Sequence, residues 1–285
     1  MTAQRTVAEI VEPTPVVEGA GVRLRRSIAT RTLDYLDPFL LLDHFGSDDP
    51  DDYVKGFPVH PHRGIETVTY MLGGSVAHKD SLGNSGLIGP GDVQWMTAGR
   101  GILHEEMPKV GPRRLDGFQI WVNLPRKLKM TAPRYQDVGA ARIPDVVRPD
   151  GVRIRVVAGA VDGVSGAVKE IYAEPEYLDV SMPPHRTLEQ PVARGHTALA
   201  YVFEGEVALG GGADGEGRVA ATRLAVLGDG DLVRARTGER PGRFLLLSGK
   251  PLGEPVARYG PFVMNTEEEI RQTLRELRDG SFVRP

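Results

Sequence analysis

Thirty-five glycines and 22 prolines punctuate a chain of 285 residues, and this spacing limits the fold more than any other feature. Between the breaks lie short runs rich in Val, Ile, Leu, Tyr and Thr: Glu66 to Leu72, Asp92 to Thr97, Phe118 to Leu124, Val152 to Ala158, Ala198 to Phe203 and Arg243 to Leu247. Runs of this length, closed by Gly and Pro every few residues, read as the strands of an all-β sandwich or barrel. One helix is expected near the end. Thr266 caps it, Glu269 completes a Ser/Thr-x-x-Glu box, Ile270, Leu274 and Leu277 line one face, and Gly280 ends it.

The pattern of runs repeats. Tyr70-Met-Leu-Gly-Gly-Ser-Val76 resembles Tyr201-Val-Phe-Glu-Gly-Glu-Val207, and Ile88-Gly-Pro-Gly-Asp-Val93 resembles Leu227-Gly-Asp-Gly-Asp-Leu232. The two halves of the motif stand further apart in the second copy, and the Gly-rich stretch from Gly210 to Gly217 accounts for the extra residues as a hairpin loop. A small antiparallel barrel used twice is the expected architecture. The junction falls in the weakly periodic segment from Thr131 to Val147, giving an N-terminal domain over residues 1–138 and a C-terminal one over 139–285.

Cysteine is absent, which removes disulfides and thiolate ligands and leaves imidazole and carboxylate as the strong metal donors. Acidic and basic side chains number 38 and 35 and are interspersed, so no basic tract marks a nucleic-acid or anionic-membrane surface. No apolar run reaches signal-peptide or membrane-span length, and the expectation is a soluble, cytoplasmic protein.

His60-Pro61-His62 lies at the start of an expected strand, where alternation sends both imidazoles to one face. Past Gly99-Arg100-Gly101, the same parity puts His104 and Glu106 on one side of a strand and Glu105 on the other. If these strands are neighbours across a barrel interior, His60, His62, His104 and Glu106 converge on one ion. Borderline nitrogen donors with one hard oxygen suit a divalent first-row metal with an open coordination position. Glu66 is an alternative carboxylate, because His60, His62, Glu66 and Gly73 fit the spacing His-x-His-x3-Glu-x6-Gly. His44, His78, His185 and His196 lack comparable pairing and read as ordinary histidines. Trp95, Phe118 and Trp121 read as core, with a pocket for a flat aromatic ligand as the alternative.

The runs Gly56-Phe-Pro-Val-His60-Pro-His62-Arg-Gly-Ile-Glu66-Thr-Val, Gly91-Asp-Val-Gln-Trp95-Met-Thr-Ala-Gly-Arg-Gly-Ile-Leu-His104-Glu-Glu106-Met-Pro108 and Gly260-Pro-Phe-Val-Met-Asn265-Thr together resemble the pirin family of the cupin superfamily. The resemblance implies a bicupin: two antiparallel barrels of the double-stranded β-helix, or jelly-roll, type packed face to face, with a C-terminal helix. It implies one divalent metal in the first barrel, usually iron, with manganese, nickel, cobalt, copper or zinc as alternatives. In pirins the carboxylate ligand comes from the position of Glu106, which leaves Glu66 to hydrogen-bond a ligand. Counting along the repeat reaches Pro191, Ala193, Thr197, Arg243 and Leu245 in the second copy, so the second barrel is expected to hold no metal.

For function the resemblance implies two classes. One is a quercetin 2,3-dioxygenase-like oxidoreductase acting on a small aromatic, flavonol-like substrate with O₂, Glu106 being the catalytic proton acceptor. The other is a non-enzymatic, iron- and redox-responsive regulator that binds a transcription factor or metabolic enzyme. A metal-dependent isomerase or hydrolase of the wider cupin class is a third reading. A deep cavity at the metal favours an enzyme, and a shallow polar site beside an exposed apolar patch favours a regulator. A monomer is expected, because two barrels in one chain supply the pairing that single-barrel relatives gain by dimerising.

Overall fold

The fold is described from a computed structural model covering residues 2–211 and 217–283. The chain lays down β1 (Val7–Val11), β2 (Thr14–Glu18), β3 (Val22–Ile28), β4 (Phe39–Ser47), β5 (Phe57–His62), β6 (Ile65–Gly73), β7 (Ser75–Asp80), β8 (Ser85–Ile88), β9 (Val93–Thr97), β10 (Ile102–Lys109), β11 (Leu115–Asn123) and β12 (Arg134–Val138). There follow β13 (Asp145–Val147), β14 (Arg153–Ala158), β15 (Ala160–Val161), β16 (Val164–Ser165), β17 (Glu176–Met182), β18 (Thr187–Pro191), β19 (Thr197–Leu209), β20 (Arg218–Ala220), β21 (Arg223–Leu227), β22 (Leu232–Arg236) and β23 (Gly242–Gly249). The hairpin β24 (Ala257–Tyr259) and β25 (Phe262–Met264) leads into α1 (Glu267–Asp279). The architecture is the expected all-β bicupin with one C-terminal helix.

Each barrel is built from the same ladder. In the first, one sheet runs β12-β9-β6-β11-β4-β3-β2 and the other β5-β10-β7-β8. In the second, β1-β21-β19-β23-β17-β14-β13 repeats the first order, while β18 and β22 pair with one another and β22 and β20 pair with the outer part of β19. Tyr70 and Tyr201 occupy the same seat: each is fully buried, Tyr70 between Phe118 and Val93, Tyr201 between Leu245 and Leu224. Alternating aliphatic residues such as Ile154, Val156, Leu178, Val180, Ala200 and Val202 fill the second barrel, as expected for strands with one face turned inward.

This ladder corrects two expectations. The domains are not residues 1–138 and 139–285. Residues up to Pro13 pack with Ala141–Pro251, and the segment from Leu252 onward packs with Thr14–Ala140. The reason lies in the edges: β1 pairs with β21 where β12 pairs with β9, so the N-terminal strand finishes the second barrel.

The two Gly-x-Gly-Asp turns are not equivalent either. Gly89–Asp92 enters β9, whereas Gly228–Asp231 leaves β21 and enters β22, the counterpart of β10. The loop insertion placed at Gly210 to Gly217 is not needed to align the copies, and its residues 212–216 lie outside the described ones. Cross-strand register pairs His60 with His104 and His62 with Ile102 in the first barrel, and Glu189 with Arg234 and Pro191 with Leu232 in the second. Those outward-facing pairs of the second barrel are not the counterparts of the histidines: the residues that face its core are Leu188 and Gln190 on β18, paired with Ala235 and Val233 on β22, and none of the four is an imidazole or a carboxylate.

The helix is capped as expected. Thr266 and Glu269 exchange their reciprocal bonds, and Gly280 closes the end in the left-handed region. Its buried face differs: Ile270, Thr273 and Glu276 are buried, while Leu277 is 37 % exposed. The cause is Arg63, a buried guanidinium whose Nη2 donates to Glu276 Oε2 at 2.7 Å and whose Nη1 donates to Thr273 Oγ1 at 3.0 Å. A buried cation requires a partner, and the helix turns to supply one. No described helix is long and apolar enough to cross a membrane.

Candidate metal centre

Three histidines meet where β5 and β10 pair. His60 and His62 close β5, at its end rather than its start, and His104 lies directly opposite His60. Positive φ at Gly64 and Gly101 turns the chain sharply just after the first pair and just before the second. His60 Nε2 and His62 Nε2 are 3.1 Å apart, and one potential ligand atom from each of the three imidazoles lies within 4.8 Å of the others. Two nitrogens bonded at about 2.1 Å to one ion at a right angle stand about 3 Å apart. The His60–His62 separation matches that requirement.

The protonation state fits as well. His60 Nδ1 lies 2.9 Å from the Pro58 carbonyl oxygen, which holds the proton there and leaves the Nε2 lone pair turned to the cluster. Burial, followed by the neighbouring imidazoles, pushes the pKa values of His62 and His104 well below the ordinary range, so both are neutral donors. His104 is 2 % exposed, and neither of its ring nitrogens has a hydrogen-bond partner among the described residues. Buried imidazoles do not stay unsatisfied without cause. The donor set fits a divalent transition metal.

Glu106 faces the same way but stands apart from this tight group. Parity holds along β10, where Ile102, His104, Glu106 and Pro108 are buried while Leu103, Glu105 and Met107 are less so. A register shift between His104 and Glu106 then sets Glu106 opposite Phe57, and irregularities of this kind re-aim a side chain. The Thr69 hydroxyl sits 3.1 Å from Glu106 Oε1 and 2.8 Å from Gln119 Oε1. Burial, the first cause, raises the Glu106 pKa against the pull of His60, the Thr69 hydrogen bond and His78. Glu66 is fully buried and accepts from the Thr97 hydroxyl at 2.7 Å; it lies outside the three-imidazole group.

His60, His62, Thr69 and Glu106 open onto a cavity of about 340 Å³. Val22, Leu24, Phe45 and Leu115 supply apolar wall, and Trp121 stands edge-on to His62 with ring centroids 5.1 Å apart. Of the aromatics expected to be core, Trp95 and Phe118 are, while Trp121 lines the cavity. His44 is paired with Asp116 at 2.9 Å and stacked on Phe118, and His185 lies 3.3 Å from Glu239. His78 is a residue that single-strand parity missed. It is buried, faces Glu106 across the β7–β10 ladder, and is close enough to act electrostatically on both Glu106 and His104. Its signal was present in the alternation of His78 and Asp80 on β7, the strand that pairs with β10. Arg26, Asp43 and Arg258, which also line the cavity, come from distant segments and carried no local signal.

Known proteins are similar to this chain over most of its length. The Pirin family model matches residues 21–122, and the Pirin C-terminal cupin domain model matches 177–283. A Pseudomonas aeruginosa protein whose name assigns it quercetin 2,3-dioxygenase activity only provisionally is 46 % identical over 98 % of this chain and 99 % of its own. Human pirin is 44 % identical over 92 % of this chain and 88 % of its own. A crystal structure described as quercetin 2,3-dioxygenase from Acinetobacter baumannii superposes with a TM-score of 0.88 at 35 % identity, covering 98 % of this chain and 99 % of that one. Sequence identity sustained from end to end, rather than at the histidine motifs alone, makes this chain a member of the pirin family.

Proposed function

We propose that this protein is a metal-dependent dioxygenase of the quercetin 2,3-dioxygenase type, acting on flavonol-like aromatic substrates with O₂. The observation that carries the reading is the cavity: its volume of about 340 Å³ lies within the range of roughly 300–1,000 Å³ typical of small-molecule sites, its walls are mostly apolar, and it reaches His60 and His62. A regulator needs no such chamber. The names of the Pseudomonas and Acinetobacter relatives support the same activity.

In this reading His60, His62 and His104 hold one divalent ion in the first barrel, Glu106 completes the set, and the second barrel holds none. Iron(II) is the proposed ion; manganese, nickel, cobalt, copper and zinc suit the same donors. When bound, the metal supplies a Lewis acid and a template for a deprotonated hydroxyl and O₂. The chain supplies the rest. Glu106, with its pKa raised by burial, accepts the proton of the substrate 3-hydroxyl. The Thr69 hydroxyl orients its carboxyl group. Trp121 and the aliphatic wall hold a flat ring and exclude water.

Anaerobic loading with Fe(II), followed by oxygen uptake with quercetin, tests the proposal. Turnover is expected in the native chain and a loss of at least about a hundredfold in Glu106→Gln, the scale of general-base catalysis. No uptake by the loaded native protein refutes the dioxygenase reading. Metal analysis of His62→Ala tests the ligands separately, and an unchanged stoichiometry refutes that assignment.

A further inference from the structure

The cavity has a second polar end, and its charges are unequally matched. Arg26 donates from Nε to Asp43 Oδ1 at 2.8 Å, from Nη2 to Asp43 Oδ2 at 2.7 Å and from Nη1 to Glu18 Oε1 at 2.7 Å. Every nitrogen of that guanidinium is thus engaged by a carboxylate, and both oxygens of Asp43 are occupied. Arg258, on β24, lines the same cavity. Among the described residues its side chain makes one hydrogen bond, from Nη1 to the Leu40 carbonyl oxygen at 3.2 Å. Asp34 and Asp43 attract it without bonding to it, and burial outweighs them in lowering its pKa. An arginine remains charged under such a shift.

Arg258 is also placed along a line from the histidines. Its Cζ stands 5.5 Å from the centre of the Trp121 ring, and the other edge of that contact chain is His62, 5.1 Å from Trp121. One indole therefore separates the three imidazoles from a guanidinium with unused donors. A flat ligand lying along Trp121 with one oxygen at the histidines presents its far end to Arg258.

We infer that Arg258 is a specificity-determining residue that selects planar aromatic substrates bearing an anionic oxygen, a carboxylate or an ionised phenol, at the end remote from the metal. The inference rests on the cavity being the substrate site, as proposed above, and names the class of substrate that it favours. Three features recognise that class: the apolar wall takes the rings, the histidine end takes one oxygen, and the planar fork of Arg258 takes the other in a geometry matched to carboxylate oxygens. Arg26 does not serve this role, since its charge is already matched by ion pairs with Asp43 and Glu18.

The test measures binding, not turnover. Zn(II)-loaded protein without O₂ is titrated with 3-hydroxyflavone carrying a 4′-carboxylate, and with the 4′-carboxamide of the same skeleton, by quenching of tryptophan fluorescence. The native chain is expected to bind the carboxylate at least about tenfold more tightly, the scale of one charge-assisted hydrogen bond. Arg258→Gln is expected to bring the two ligands within about threefold of one another while leaving the carboxamide Kd nearly unchanged, and Arg258→Lys to restore part of the preference. Unchanged carboxamide binding shows that the variant cavity is folded. Equal affinities in the native chain overturn the inference, as does a preference that survives in Arg258→Gln. If neither ligand binds the native protein, the inference and the substrate-site reading fall together. Normal binding without oxygen uptake by the Fe(II) form sinks the dioxygenase reading alone.

Discussion

Replacing Glu276 by Leu strands a charge inside the protein. Arg63 is 2 % exposed and Glu276 is 5 % exposed, and they are paired at 2.7 Å; the same guanidinium also donates to the neutral Arg100 carbonyl at 2.6 Å and the Thr273 hydroxyl at 3.0 Å. The Phe282 ring, 4.5 Å from Cζ, covers another side. Removing one member of a buried pair costs about 3–5 kcal/mol, because the remaining ion is neither solvated nor neutralised. The helix itself should survive, since the reciprocal Thr266–Glu269 cap does not involve Glu276. The loss therefore falls on the docking of α1. At roughly 2–4 °C per kcal/mol for a unit of this size, scanning calorimetry should show the transition of the first barrel falling by about 6–20 °C. The double variant Arg63→Met/Glu276→Leu removes both charges and should recover most of that loss. A fall of less than about 2 °C in the single variant, or a double variant no more stable than it, refutes the reasoning.

Two further outcomes are expected. In the second barrel burial pushes the Glu176 carboxyl up to about 7 against hydrogen bonds from Ser248 and Gln190; a raised carboxyl stabilises the fold fully below its unfolded value and loses that contribution as pH rises to about 7, so urea unfolding should show Glu176→Gln close to native at pH 4 and roughly 2–3 kcal/mol more stable at pH 8, and a pH-independent difference counts against it. Gly64 has a φ of +78° and its absent Cβ would collide with the Val263 carbonyl, itself an acceptor for the buried Lys129 ammonium; Gly64→Ala should therefore displace β25 from the strand bearing His62 and lower both melting temperature and metal content, and wild-type values of both would show that the turn tolerates a side chain.

The histidines were legible because strand parity is local: two residues apart on β5 or β10 means one face, whatever the rest of the chain does. The strands and the helix cap were legible for the same reason. Glu106 was placed on the correct face, yet the register shift between it and His104 belongs to the pairing of two strands and leaves no mark on either. The repeat was visible at Tyr70 and Tyr201, but similar Gly-Asp turns misled where they serve different strands; Asp92 accepts from the Gly89 and Ala140 amides and Asp231 from that of Ala3. Arg63 pointed away from the cluster, as parity required, and its partners on α1 lie more than 200 residues along the chain. No local pattern reports a contact of that span. Arg258 and Trp121 also meet from distant segments of the chain, which is why the far end of the cavity was invisible.

The exchange of chain ends sets an order of assembly. During synthesis the three imidazoles emerge before the second barrel, but the segment from Leu252 onward that completes their unit is made after it. Arg63 cannot be neutralised by Glu276, nor can Arg258 reach Trp121, until the whole second barrel has left the ribosome. The three-histidine cluster is thus enclosed only after the second barrel is made, and a chain truncated after that barrel would carry the histidines without the segment that packs against their unit.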